Sequence, residues 1–302
     1  MSRRTDNHHR AASICRAATG LPHRTCLGWA QQGLITRRQP VPDAADPSQR
    51  AFEARVALTA GDSLRDGQLD GAVFGVEAAV PSAGGLTLRL HERMAPRVVT
   101  ELLPRLDEDY GGLRGVPGLR VTSDTQGLTL RDAAGAGTIR LHGVPGSWRL
   151  PDDGDGLRYV GRNAAAPPHA AEREELHHWT GTVMAGPDPA SRDHLLSRLL
   201  RRPALINRTG SAHGWVNSYC HQYQDLVLEW CCAPAAPEME QSLRRSGVAA
   251  PPDGAPPEPD APPARPGVIR LGGAEVFVRC GDFAHADGEI DKINASIGRR
   301  YE

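Results

Sequence analysis

Residues 207–232 read Asn-Arg-Thr-Gly-Ser-Ala-His-Gly-Trp-Val-Asn-Ser-Tyr-Cys-His-Gln-Tyr-Gln-Asp-Leu-Val-Leu-Glu-Trp-Cys-Cys, and they hold two of the five Trp, three of the six Cys and two of the five Tyr in the chain. Val216 to His221 and Asp225 to Cys231 are both strand-compatible and are separated by Gln222-Tyr223-Gln224. A hairpin closed there pairs His221 with Asp225, Tyr219 with Val227, Asn217 with Glu229 and Trp215 with Cys231. Side chains alternate along strands, so these eight residues share one face. The other face carries Val216, Ser218, Cys220, Leu226, Leu228, Trp230 and Cys232, which is apolar enough to be core.

The same alternation argues against a metal centre. Cys220 and His221 fall on opposite faces, as do Cys231 and Cys232, so neither pair can ligate one ion in a regular strand. What the hairpin offers is a polar and aromatic face. His221 is placed to act as a general base, with Asp225 orienting its imidazole and Glu229 beside them. Arg208 or His213, next to the first strand, would complete a hydrolase-type site. Trp215, Asn217 and Tyr219 would form a binding surface on the same side. The competing reading is an ordinary solvated sheet face, where cross-strand His–Asp pairs are common.

Outward from the hairpin, a helix is predicted over 237–246. Residues 249–267 follow with eight prolines and read as a linker. Val268–Leu271 and Ala274–Arg279 then flank Gly272-Gly273, a hairpin signal, and a last helix carries Ile290, Ile293 and Ile297. Upstream, 170–201 reads as two helical pieces separated by Gly181 to Pro189. The second has a stripe of Leu195, Leu196, Leu199 and Leu200. Residues 71–160 read as a mainly antiparallel sheet, with strands at 72–80, 86–91, 128–131 and 138–142. One helix, Met94 to Tyr110, is interposed and is kinked or shortened by Pro104.

The first forty residues contain seven arginines (3, 4, 10, 16, 24, 37, 38) and one acid, Asp6, a local net charge of +6 in a chain of net charge −1. Two short helices are predicted over 8–38, broken at Gly20-Leu21-Pro22 and stopped near Gly33. A third helix runs from Ser48, its expected N-cap, to about Arg65 with Phe52, Val56 and Leu64 inward. The first two helices resemble a helix-turn-helix DNA-binding unit over some 25 residues. That resemblance puts Gly20 at the turn and Cys26 and Trp29 inside. It aims Arg24, Thr25 and Gly28 at a groove and lets Arg37 and Arg38 reach phosphates. Arg16 departs from the pattern, because such units place a small residue there. The alternative is a helical hairpin docked on the body with its arginines solvated.

Composition narrows the classes. Hydrophobic residues at 39% and charged residues at 24% suit a globular protein, and the near-zero net charge predicts no global pull toward nucleic acid or membrane. Lys292 is the one lysine, a bias of high-GC coding rather than of phosphate binding. No apolar run approaches the ~20 residues that span a bilayer. Ser2-Arg3-Arg4 is followed by Asp6-Asn7-His8-His9-Arg10 instead of an apolar region, so export is not expected and the cysteines are expected as reduced thiols in a cytoplasm. There is no Cys-x-x-Cys, phosphate loop, Gly-x-Ser-x-Gly elbow or deaminase signature. His177-His178-Trp179 reads as a capping and packing cluster.

The expectation is therefore an α+β fold. It comprises a basic helical segment over 1–66, a body over 67–248, the linker over 249–267 and a hairpin–helix over 268–302. The function expected is that of a non-enzymatic cytoplasmic protein, without a cofactor, that binds DNA or a partner protein through its N-terminus. A hydrolase using the 215–231 hairpin and a protein–protein adaptor are the alternatives.

Overall fold

The computed structural model describes residues 3–64, 71–125, 127–180, 188–208, 216–221, 225–231, 234–249 and 266–281. Among these residues, eight helices and three mostly antiparallel sheets make an α+β fold. The segment around Ile290 where a last helix is expected, the interior of the proline-rich linker and Trp215 lie outside the described residues.

The helices are α1 (Arg3–Thr19), α2 (His23–Gln31), α3 (Pro47–Ser63), α4 (Ala95–Leu102), α5 (Ala170–Thr180), α6 (Pro189–Leu200), α7 (Pro203–Ile206) and α8 (Ala236–Arg245). The first sheet runs β1 (Val76–Ser82), β2 (Gly85–Leu90), β7 (Thr138–His142), β6 (Gly127–Asp132), β5 (Leu119–Asp124), with β2 and β7 parallel. A small sheet joins β4 (Gly112–Arg114), β3 (Arg105–Asp107) and β8 (Leu157–Tyr159). The third runs β11 (Val268–Leu271), β12 (Ala274–Gly281), β10 (Asp225–Cys231), β9 (Val216–His221).

Local chemistry accounts for most boundaries, including those that differ from expectation. α3 starts one residue earlier than predicted, because the Asp46 carboxylate, not Ser48, caps it by accepting from the Ser48 amide at 2.7 Å. The helix expected over 94–110 ends at Leu102. Pro104 forces Leu103 into an extended conformation (ψ 132°), and the chain enters β3 at once. The strand expected at 72–80 is displaced to 76–82. β3, β4, β5 and β8 carry no alternation clear enough to have been predicted.

α3 organises the interior. Phe52, Val56 and Ala60 point into a core shared with α4 and the first sheet, where Leu88, Val98, Leu102, Leu130 and Ile139 are all buried. From the same helix, Ala54 joins a second core with Leu195, Leu199, Leu228, Trp230, Leu243 and Val276. A helix packed on both sides must bury its polar residues too, and Gln49, Glu53 and Arg55 are all below 6% exposed. The hairpin β11–β12 is not a detached module. β12 pairs in parallel with β10 from Leu226↔Val276 to Cys231↔Gly281, so residues on either side of the proline-rich segment share one sheet.

Candidate functional site

The N-terminal helix pair is built from small residues. Ala11, Ala12, Cys15 and Ala18 of α1 and Cys26 and Ala30 of α2 are 2% exposed or less, which lets the two backbones approach closely, with Leu21 and Ile35 closing the cluster. Trp29, expected inside, is only half-buried at its edge. The turn needs glycine. Gly20 has φ 77°, and a Cβ there would lie 2.6 Å from the Glu77 carbonyl oxygen of β1. The pair is thus seated on the body through its turn, and α1 also packs on α7. α2 ends in a Schellman motif, with Gly33 at φ 77° and the Leu34 amide donating to the Trp29 carbonyl at 2.9 Å.

Its outer surface is basic. Arg16, Arg24, Arg37 and Arg38 are exposed, and none of the four has an ion pair or side-chain hydrogen bond among the described residues. The single acid, Asp6, is taken by Arg10 at 2.7 Å. Thr25 is exposed beside Arg24, and a Cβ at Gly28 would meet nothing within 4 Å, so this face of α2 is open to an approaching surface. The His9 and His23 rings stack at 5.8 Å across the two helices. Arg16, the residue at odds with the helix-turn-helix pattern, points to solvent rather than between the helices. α2, nine residues long, spans roughly 13 Å. Arg24 sits in its first turn, and Arg37 and Arg38 follow its last.

For the second candidate, the backbone ladder sets His221 opposite Asp225, Tyr219 opposite Val227 and Asn217 opposite Glu229. The side chains of Asn217, Tyr219, His221 and Asp225, and all of Trp215 and His213, lie outside what is described. Leu226, Leu228 and Trp230 are core, and the Trp230 indole donates to the Pro234 carbonyl at 2.8 Å. Val227, which alternates with them, is buried as well, and Glu229 is half-buried. At these two positions the polar side of the strand is covered rather than open.

Buried charges paired between distant segments escape a linear reading of the sequence; Arg120–Glu172 is one such pair at 2.8 Å, and two groups lie around α3 and α6. In the first, Arg201 and Glu53, each 0% exposed, form a two-pronged pair at 2.6 and 2.7 Å, with Ser197 and Gln49 donating to the same carboxylate. Next to it, Asp43 accepts from Arg198 and contacts the His194 ring at 3.2 Å. Burial would raise the Asp43 carboxyl, but the His194 and Arg198 contacts outweigh it and hold the group well below the usual range. In the second group, Arg55 pairs with Asp132 at 2.7 Å. Arg192 lies over the Trp179 ring at 4.0 Å and pairs with Asp193, whose carboxyl is pushed up by burial. Arg198 of α6 and Arg201 just after it are paired with carboxylates 155 and 148 residues away, which no local pattern announces.

Among the described residues there is no group of three His, Cys, Asp or Glu side chains positioned to hold a metal, and no helix is long and apolar enough to cross a membrane. A cavity of about 40 Å³ between the two cores is lined by Ala57, Phe74, Leu199, Ile206 and Leu228. Asn207 also lines it, but its amide is already bonded to the backbone of Val73 and Val76. The cavity therefore presents no reactive group. Comparison with models of known protein families, with curated proteins and with solved structures returned no match.

Proposed function

We propose that this is a non-enzymatic binding protein that engages a polyanion, duplex DNA in the first instance, through the α1–α2 pair and the loop that follows it. The observation that carries this reading is the set of four exposed arginines around an open helix face that have no ion pair among the described residues, in a chain that pairs so many of its other arginines. Unpaired guanidinium groups can release phosphate counterions without first breaking an internal ion pair. Small residues between the helices and a glycine turn seated on β1 hold the face rigid for docking.

Fluorescence anisotropy with a labelled mixed-sequence duplex tests the reading. Four phosphate contacts give a slope of about −3.6 in log affinity against log salt. Replacing Arg37 and Arg38 by Ala reduces its magnitude by about 2. Absence of salt-sensitive binding at micromolar protein in low salt would end the proposal.

A second reading rests on the ladder register that sets His221 opposite Asp225. It is a hydrolase-type activity with His221 as base and Asp225 and Glu229 as its partners. In that case His221→Ala abolishes turnover of a hydrolysable substrate found by screening, and the Arg37/Arg38 variant leaves it intact. An adaptor role would need a surface other than the hairpin β11–β12, whose inner edge is paired with β10.

A further inference from the structure

The outer side of α2 is centred on a residue that its own fold does not call for. At 3.6 residues per turn, Arg24, Thr25, Gln31 and Gln32 all project within about 60° of Gly28. Cys26 and Ala30, 0% and 2% exposed, fall on the opposite side. Gln32, the C-cap, keeps a helical backbone (φ −78°, ψ −6°) and so continues the arc. Arg24, Thr25, Gln31 and Gln32 are all exposed, and the arc carries no carboxylate to repel a polyanion.

A glycine inside a helix weakens the folding equilibrium by a factor of about 5 relative to alanine. Where the fold needs one, a neighbour fills the space of the missing side chain. At Gly20 it is the Glu77 carbonyl, and at Gly137 a Cβ would lie 2.5 Å from that of Phe52. At Gly28 a Cβ would meet nothing within 4 Å among the described residues, and the backbone there has no positive φ. Neither packing nor backbone conformation accounts for the glycine. Close approach of another molecule to the helix backbone does, because only glycine leaves that backbone bare.

We propose that α2 seats this arc in the major groove of the duplex, with Gly28 at the point of closest approach and Gln31 and Gln32 on adenine edges. Resting on the duplex-binding reading, this seat gives that binding a sequence preference. The net charge of +6 over the first forty residues matches a polyanion rather than a neutral surface. The major groove, about 12 Å wide, admits an α-helix. A glutamine amide there donates from Nε2 to adenine N7 and accepts at Oε1 from adenine N6. The glutamines are neutral and release no counterions. Their effect is therefore separable from that of Arg24, Arg37 and Arg38, which act through the salt slope.

Selection from a randomised duplex pool by the full-length chain should enrich a site with adenine at a fixed position. Replacing that adenine by 7-deazaadenine, which lacks the N7 acceptor, should weaken binding about tenfold. The Gln31→Ala/Gln32→Ala variant should bind the site and its base-substituted versions within about twofold of one another, at an unchanged salt slope. Gly28→Ala should melt about 2 °C higher than the wild type yet bind the selected duplex about tenfold more weakly, so misfolding cannot account for the loss. A Gly28→Ala variant that binds as tightly as the wild type overturns the close approach. Enrichment of no sequence, or a site indifferent to 7-deazaadenine and to the glutamine changes, overturns the readout and leaves duplex binding standing. A wild-type chain that binds no duplex ends both.

Discussion

Glu53→Gln removes one negative charge from the centre of the molecule and changes almost no volume. The Glu53 carboxylate accepts from Arg201 Nε at 2.7 Å, Arg201 Nη2 at 2.6 Å, Ser197 Oγ at 2.6 Å and Gln49 Nε2 at 2.7 Å. Arg201 donates further to the Pro42 and Ser82 carbonyls at 2.9 and 2.8 Å, so the pair links α3, α6, the segment before α3 and the end of β1. Glutamine leaves the guanidinium charge buried and sets an amide N–H₂ against donors that need acceptors. Removing one partner of a fully buried pair costs about 3–5 kcal/mol. For a chain of this size that lowers Tm by roughly 10 °C. Circular dichroism melts and urea titration at neutral pH give the measurement, with the m-value unchanged. Replacing Glu53 and Arg201 together by Met removes both charges, and the double variant should be less destabilised than the single losses added together. A Glu53→Gln variant within about 1 °C of the parent would refute the account of α3 as an electrostatic hub.

Gly20→Ala forces a Cβ to within 2.6 Å of the Glu77 carbonyl oxygen at a positive φ, and should cost about 2 kcal/mol or more and expose the α1–α2 pair to limited proteolysis. Asp43, whose folded-state carboxyl lies below its unfolded value, contributes stability that is complete above about pH 4 and drains away as pH falls further. Asp43→Asn should be the less stable protein at pH 7 yet show a shallower Tm loss on acidification. Trp230→Phe, which orphans the Pro234 carbonyl and leaves a void in the second core, should lower stability by about 2 kcal/mol in urea titration. Arg24→Ala should reduce the magnitude of the salt slope of duplex binding by about 1 while leaving Tm unchanged, because Arg24 is exposed and unpaired.

Much of the local structure was legible in the residues themselves. Gly20-Leu21-Pro22 breaks α1 from α2, Gly33 stops α2, and Gly272-Gly273 turns β11 into β12, all because backbone geometry there depends on residue type. The register of β9 on β10 followed from alternation and a three-residue connection. The exposure of Arg24 and Thr25 beside a buried Cys26 and Ala30 agrees with the apolar run of the second helix.

Other features depend on contacts between distant segments. α6 reads as a leucine stripe backed by polar residues, yet Arg192, His194, Ser197 and Arg198 are all buried, because the helix meets α3 and the Asp43 segment on that side. A charged residue looks the same in sequence whether water or a carboxylate 150 residues away receives it. Likewise the hairpin after the proline-rich segment reads as a separate piece, and only the parallel ladder between β12 and β10 makes it part of the 216–231 sheet. The sequence alone thus determined the α+β class, the breaks at Gly20-Leu21-Pro22, Gly33 and Gly272-Gly273 and the register of β9 on β10, since those depend on local sterics and periodicity. The tertiary structure decided which charges are buried, which sheet the last strands join and which cysteines share an interface. Those outcomes depend on pairings between groups far apart in the chain, and no local pattern encodes them.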